Sequence, residues 1–452
     1  MSVTATVNNA DEAHSLLSRF RKGVTWNIVA ALLTQGSNFL TTIVIANLLG
    51  RELFGQYGLI QSTLLTLAGM AQIATGVTAT KYLAELRARD KIRAGRVLGL
   101  CSAVTLATGV VACTAVLLGS TSVANRLLHA PSLAMQLRLT AIVALFTVIN
   151  GYQAGALAGL ERYKTLALGS GIQGALQVAL SFILARHYGL TGALLALVST
   201  SIARWAVFHV LVRLAAEGDF IHVTYRGLRQ ELTVLHRFAV PAAVAGLMSP
   251  SAIWLANVFL VRGTGGYGQL ALFNAAFNLK NVVMFLPLLL NTVGMSLLNN
   301  QFGSGNATGF RRVFWANIAL TGITSAACAV VMVAFGQQLL HLYGRDFAGA
   351  RTVLLLLACS SVLETIGIGA YQLVQAREKM WLSLFTIAFP RDALLVIVTW
   401  RLAAAFGALG LAMAWTLGWA VCTTATFVVA YNLGLEVRSS QKRHIIALPA
   451  PN

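Results

Sequence analysis

Apolar residues in this chain come in long runs, separated by brief polar turns. They do not alternate as a half-buried strand would, nor recur as a single stripe along a surface helix. Runs of about 18 or more apolar residues match what a helix needs to cross a bilayer. Twelve spans are predicted, near 24–48, 57–83, 97–119, 137–159, 165–185, 190–212, 238–261, 269–298, 313–335, 352–376, 380–400 and 406–431. The pattern therefore describes an all-α polytopic membrane protein.

The spans fall into two echoing halves. Residues 152–200 open on Tyr152-Gln153, carry a charged turn at Glu161-Arg162, and run on to Tyr188-Gly189. Residues 371–418 repeat the plan with Tyr371-Gln372, a turn at Arg377-Glu378-Lys379, and Phe406-Gly407. A weaker echo joins the glycine- and tyrosine-bearing segment that starts at Leu48 to the one that starts at Leu260. Duplicated helix bundles with a site at the repeat interface are a common transporter design. The expected organisation is an N-terminal segment 1–23, a first lobe of six spans 24–213, a linker 214–236, a second lobe 237–431 and a tail 432–452.

Composition agrees with this class. The chain is 57% hydrophobic and only 10% charged, with a mean hydropathy of +0.74. Its net charge of +19 would suit nucleic acid, but the distribution argues against that partner. Lys and Arg gather on alternate loops, twenty-two on one side against eight on the other, leaving Arg204, Lys280 and Arg391 inside spans. The positive-inside rule then puts both termini and the linker in the cytoplasm, with anionic membrane lipids as partners of the basic loops. The first apolar run is too long for a cleavable signal core. The five cysteines all lie in spans without paired spacing, so neither a disulfide nor a metal site is expected. No phosphate-binding loop ending in Lys-Ser or Lys-Thr is present. No enzyme constellation emerges, and no cofactor is expected.

What remains is polar chemistry at membrane depth, where each polar group must find a partner or a wet cavity. Gln35 and Asn38 lie in the first span and Gln72 in the second. Gln173 and Gln177 form part of a stripe in the fifth, and Asn274, Asn278 and Asn281 share a face of the eighth. These amides either join helices by hydrogen bonds or line one cavity. Lys280 lies near the middle of the eighth span, about 18 Å along the helix from its outer end, with no partner evident in the sequence. That favours an anion contact. Arg204 lies closer to the cytoplasmic end and is expected to snorkel. Glu364 is central in the tenth span; Arg391 and Asp392 follow Pro390 in the eleventh. Glu364 and Arg391 are expected to form either a structural ion pair or, through a proton carried on Glu364, a coupling site. Pro241, Pro250 and Pro287 mark places where the seventh and eighth spans can bend.

The segment 45–86, with Asn47-Leu48-Leu49-Gly50 ending one span, Phe54-Gly55-Gln56-Tyr57 after it and a basic turn at 81–96, resembles the first hairpin of bacterial polysaccharide flippases. These belong to the multidrug/oligosaccharidyl-lipid/polysaccharide superfamily. The turn Gly159-Leu160-Glu161-Arg162-Tyr163 also fits that family's style. The resemblance implies two six-helix lobes in a V around a cavity open to one face at a time. It implies flipping of a polyprenyl-pyrophosphate-linked oligosaccharide from the inner to the outer leaflet, in O-antigen, lipopolysaccharide or exopolysaccharide synthesis, with polysaccharide polymerase machinery as a further partner. Among the cations, Arg51, Lys280 and Arg262 match the role of holding pyrophosphate. An ion-coupled multidrug exporter and a lipid II flippase are the alternatives from the same superfamily.

Overall fold

A computed structural model describes the backbone of residues 2–72, 74–128, 130–232, 240–263, 265–303, 306–377 and 380–446. Side chains at 2–24, 240–246, 302–303, 307, 376, 380 and 433–446 lie outside the description, that of Pro241 among them, and so does the Glu378-Lys379 turn. Helices dominate because a bilayer offers no water to satisfy backbone groups, and a helix satisfies its own. The α-helices are α1 Ser2–Gln72, α2 Thr75–Leu86, α3 Lys91–Ser122, α4 Leu133–Gly159, α5 Tyr163–Gly218, α6 Val240–Arg262, α7 Gly266–Gly303, α8 Ala307–His341, α9 Arg351–Ala376, α10 Met380–Ser383, α11 Phe389–Phe406 and α12 Ala408–Ile446.

Among the described residues nine helical stretches are long and apolar enough to cross a membrane, and Leu247–Arg262 is a shorter apolar helix. Two of the nine are broken by a glycine with non-helical backbone, Gly50 in α1 and Gly189 in α5. Dividing each of these two at its glycine turns nine stretches into eleven segments. The shorter apolar helix falls where the sequence expects the seventh span.

The chain divides into two compact units, 1–250 and 251–452. Within the first, α1 packs on α5, α3 on α4, and α4 on α5; within the second, α9 packs on α12, α8 and α7, and α11 on α12. The same corner recurs in both. Gly189 has φ 56° and ψ −135°, and Gly407 has φ 55° and ψ −131°. Only glycine adopts that backbone without strain. Three residues further on, Gly192 and Gly410 let the chain fold back on the carbonyls of Leu184 and Leu402, each five residues before its corner glycine; a Cβ at either would collide. The aromatic-Gly-x-x-Gly string therefore encodes one reused turn.

Three details depart from expectation. The second span, expected unbroken over 57–83, is interrupted between Gln72 and Thr75, with Ala74 left-handed at φ 49°. The interruption accompanies glycine-on-glycine packing of α2 against α4, where Gly76 meets the backbone of Gly151 and Gly155, and Thr80 donates to the Gly155 carbonyl at 2.9 Å. In the eleventh span a π-turn at Leu384–Ala388 precedes Pro390, and the Phe389 N–H bonds back to the Leu384 carbonyl. A proline ring clashes with the carbonyl four residues back, and widening the ladder relieves it. Lastly, the stretch expected as a plain linker lies in part against α3. The Thr224 N–H meets the Gly95 carbonyl, and the chain crosses so closely that a Cβ on Gly95 or Gly99 would strike the carbonyls of His222 and Thr224. Glu231, 3% exposed, pairs with Arg93 at 3.1 Å and Arg96 at 3.5 Å. Residues 233–239 lie outside the described residues.

Candidate functional site

The deepest charge in the second unit is not unpartnered. Lys280 on α7 is 1% exposed, and its Nζ lies 2.7 Å from Oε2 of Glu364 on α9. Trp415 on α12 donates its indole N–H to the same oxygen at 3.3 Å. The ammonium also sits 4.5 Å from the Phe277 ring centroid and 4.6 Å from that of Trp415, and the two rings meet edge to face at 5.0 Å. Two aromatic faces and one carboxylate thus enclose the cation. Burying both charges costs several kcal/mol per ion, and their attraction offsets that only with good geometry and satisfied hydrogen bonds. Here the ammonium makes one short hydrogen bond to the carboxylate and meets two ring faces on its other sides.

This arrangement corrects two expectations. Lys280 has a partner, and that partner is Glu364; the Glu364–Arg391 pair does not form. Arg391 instead bonds its neighbour Asp392, Nε to Oδ1 at 2.8 Å, and lies 5.1 Å from the Trp419 ring. The physical reason is register. α7 and α9 pack directly, although 84 residues separate Lys280 from Glu364. Arg391 begins α11 just past the π-turn and proline, where an adjacent acid is nearest.

The amides divide into two kinds. Asn291, Asn317 and Gln372 form a closed cluster: Asn317 donates to Asn291 at 3.0 Å and to Gln372 at 3.1 Å, and Gln372 donates to the Asn291 carbonyl at 2.6 Å. Such a cluster fastens helices. In contrast, Gln35, Asn38, Gln72, Asn274, Asn278 and Asn281 are half-buried or exposed. Among the described residues none of these six has a side-chain hydrogen bond to protein. Gln173 donates to Gln177 at 3.1 Å and accepts from Arg204 at 3.2 Å. Arg204 is therefore held among amides on α5 and does not reach for a headgroup as expected. Arg51, half-buried, follows the Gly50 break, and Arg262, exposed, ends α6.

Sequence reasoning missed Trp415 and Phe277 as walls of the Lys280 site, and set Arg204 aside. The repeat itself carried a usable signal. Anchoring Phe54-Gly55 on Tyr267-Gly268, Tyr152-Gln153 on Tyr371-Gln372 and Gly189 on Gly407 places Leu67, Leu145 and Leu197 opposite Lys280, Glu364 and Trp415. Three leucines in one half against a cation, an acid and an indole in the other mark positions that helix packing alone does not require.

Membrane-length helices in two repeated units, with paired charges and unpartnered amides at depth, define an all-α membrane transport protein. The sequence profile of the polysaccharide biosynthesis protein family matches residues 20–298, more than half of the chain, and the chain belongs to that family. It is 25% identical over 352 residues to the EPS I polysaccharide export inner membrane protein EpsE of Ralstonia nicotianae, covering 78% of this chain and 80% of that protein. Its namesake in Ralstonia solanacearum is 25% identical over 392 residues, covering 85% and 88%. In fold the chain is similar to an inward-facing multidrug resistance MATE family transporter of the MOP superfamily, with a TM-score of 0.76 at 17% identity over 93% of this chain and 99% of that one. A MOP superfamily transporter from Pyrococcus furiosus superposes with a TM-score of 0.69 at 18% identity, covering 91% and 94%. The fold is that of the multidrug/oligosaccharidyl-lipid/polysaccharide superfamily.

Proposed function

We propose that the chain flips a polyprenyl-pyrophosphate-linked oligosaccharide from the inner to the outer leaflet of the bacterial inner membrane by alternating access. The family and the polysaccharide export relatives support a glycan cargo. One contrast in the side chains carries the choice of substrate class. Amides in both units stand without protein partners, while both acids at membrane depth, Glu364 and Asp392, are engaged by cations. Amides both donate and accept, as sugar hydroxyls demand. A cavity for cationic drugs needs free carboxylates, so the multidrug alternative is weaker.

Gln35, Asn38, Gln72, Asn274, Asn278 and Asn281 are assigned to the glycan, and Arg51 and Arg262 to the pyrophosphate. Lys280 enters that second role only when Glu364 gives it up. A proton on Glu364 cancels the charge that holds Lys280, so the pair couples protonation to a free cation in the second unit. Both termini and the basic turn at 81–96 face the cytoplasm, and the polymerase machinery receives the cargo outside.

The test is a strain lacking the chain. It should lose surface polysaccharide and accumulate lipid-linked repeat units that only permeabilised cells expose to a lectin, with both effects reversed by the parent gene. Normal surface polysaccharide in its absence would contradict the function. Single cysteines check orientation: one near Arg89 should resist an impermeant reagent in intact cells, and one near Ser122 should react. The reverse pattern would invert the topology.

A further inference from the structure

Away from the span ends three cations lie within the spans, and two are neutralised in place: Lys280 by Glu364 and Arg391 by Asp392. Arg204 is the third. Among the described residues no carboxylate pairs with it. Its guanidinium donates once, from Nη1 to Gln173 at 3.2 Å; its Nε is buried without a hydrogen-bond partner; its planar face lies 5.0 Å from the Phe208 ring. Gln173 is itself steadied by Gln177, which is 8% exposed. Arg204 lies about 14 Å along its helix from Arg213, which belongs to the basic loop that follows.

The repeat sets this charge against a different arrangement in the second half. Taking Gly189 onto Gly407 puts Gln173 opposite Arg391, Arg204 opposite Cys422 and Gly174 opposite Asp392. The same helix pair therefore carries one cation in each half, on opposite helices. The second half supplies an acid beside it. The first half has at that position a glycine packed on Ser37 of α1. An uncompensated cation at membrane depth is costly unless a ligand supplies the missing charge. A guanidinium already oriented by an amide and an aromatic face presents its remaining donors as a fork suited to phosphate oxygens.

We propose that Arg204, positioned by Gln173, Gln177 and Phe208, binds a phosphate ester of the lipid-linked cargo in the first unit. Two sources share this chemistry, the cargo's pyrophosphate and a phospholipid headgroup, and the site is assigned to the former. The assignment rests on the flippase function above.

The test uses the full chain in phosphatidylcholine nanodiscs, with geranylgeranyl pyrophosphate as the probe. Arg204→Gln should weaken probe binding about 10- to 100-fold, the loss expected for one charge-assisted contact. Arg204→Lys, which keeps charge and loses the fork, should fall between. Arg401→Gln, at a residue stacked on Trp400, should match the parent. Phosphatidylglycerol in excess should leave the parent's affinity unchanged. Equal binding by Arg204→Gln and the parent overturns the site, and displacement of the probe by phosphatidylglycerol reassigns Arg204 to bulk lipid. If Arg204→Gln does not fold, Arg204→Lys and Gln173→Ala decide, and parental affinity in both overturns the proposal. Unchanged probe binding beside normal polysaccharide export would sink the site and leave the function standing; absent export by the parent chain would sink the function.

Discussion

The two halves share a scaffold and differ in what they bury. Each has an aromatic-Gly-x-x-Gly corner with nearly the same backbone angles at Gly189 and Gly407, and each has a Tyr-Gln pair at the matching point of its fourth span. At three matched positions the first half holds Leu67, Leu145 and Leu197, whereas the second holds Lys280, Glu364 and Trp415 in mutual contact. In the first half these three positions are half-buried leucines and carry no charge. The comparison teaches that the buried ion pair is not needed to build the lobe, because the other lobe is built without it. The coupling role proposed above gives the pair work beyond the fold, and it makes the pair necessary for export rather than for stability.

The largest effect tests that contrast directly. Lys280→Leu strands the Glu364 carboxylate in a buried site, and breaking such a pair from one side costs about 3–5 kcal/mol. A sharp fall in melting temperature and membrane abundance is expected. Lys280→Leu with Glu364→Leu writes the first half's residues into the second and should recover most of the stability. Polysaccharide export should nevertheless stay lost. Parental export by the double variant would show that the pair only fastens helices.

A smaller effect tests the shared scaffold. Gly189→Ala and Gly407→Ala each place a side chain where the backbone disfavours one, at about 1–3 kcal/mol. The Gly407 variant should be the worse. A Cβ there strikes Gln269, which caps the Ala408 N–H at 2.9 Å, while nothing lies within reach at Gly189. Thermal unfolding in detergent measures both. Equal stability of the Gly407→Ala variant and the parent would break the equivalence of the corners.

The smallest effect concerns a feature of the first half, the segment crossing α3. Glu231→Gln removes the charge that gathers Arg93 and Arg96. Because Arg93 is 42% exposed, screening limits the loss to about 1 kcal/mol. Faster proteolysis around 219–232 with little change in melting temperature is the expected outcome. Unchanged cleavage would mean that the backbone crossing at Gly95 and Gly99 holds the segment unaided.

Much of this fold was legible in the sequence, because bilayer thickness dictates span length and the loops' charges and turns repeat. The corner glycines were visible for the same reason: only one residue type suits that backbone. Partners were harder. Glu364 lies closer in sequence to Arg391, yet helix packing brings Lys280 to it across 84 positions, and no periodicity within one helix reports which neighbour it faces. The break at Ala74 was hidden because what accompanies it is tertiary, the close approach of Gly76 to α4. Arg204 was misplaced by assuming that a cation near a helix end reaches water; Gln173 and Phe208 hold it inside. The open amides were found, but their lack of protein partners is visible only in three dimensions.

One reconstitution decides whether the chain carries a lipid-linked oligosaccharide across the bilayer. The purified chain is placed in liposomes carrying a lipid-linked oligosaccharide on the inner leaflet, with an impermeant glycosidase added outside. Glycan cleavage should rise with active protein well above protein-free vesicles, and the Lys280→Leu, Glu364→Leu double variant should stay at the protein-free level. Cleavage by the parent chain no greater than in protein-free vesicles, with the protein folded and inserted, would contradict that function.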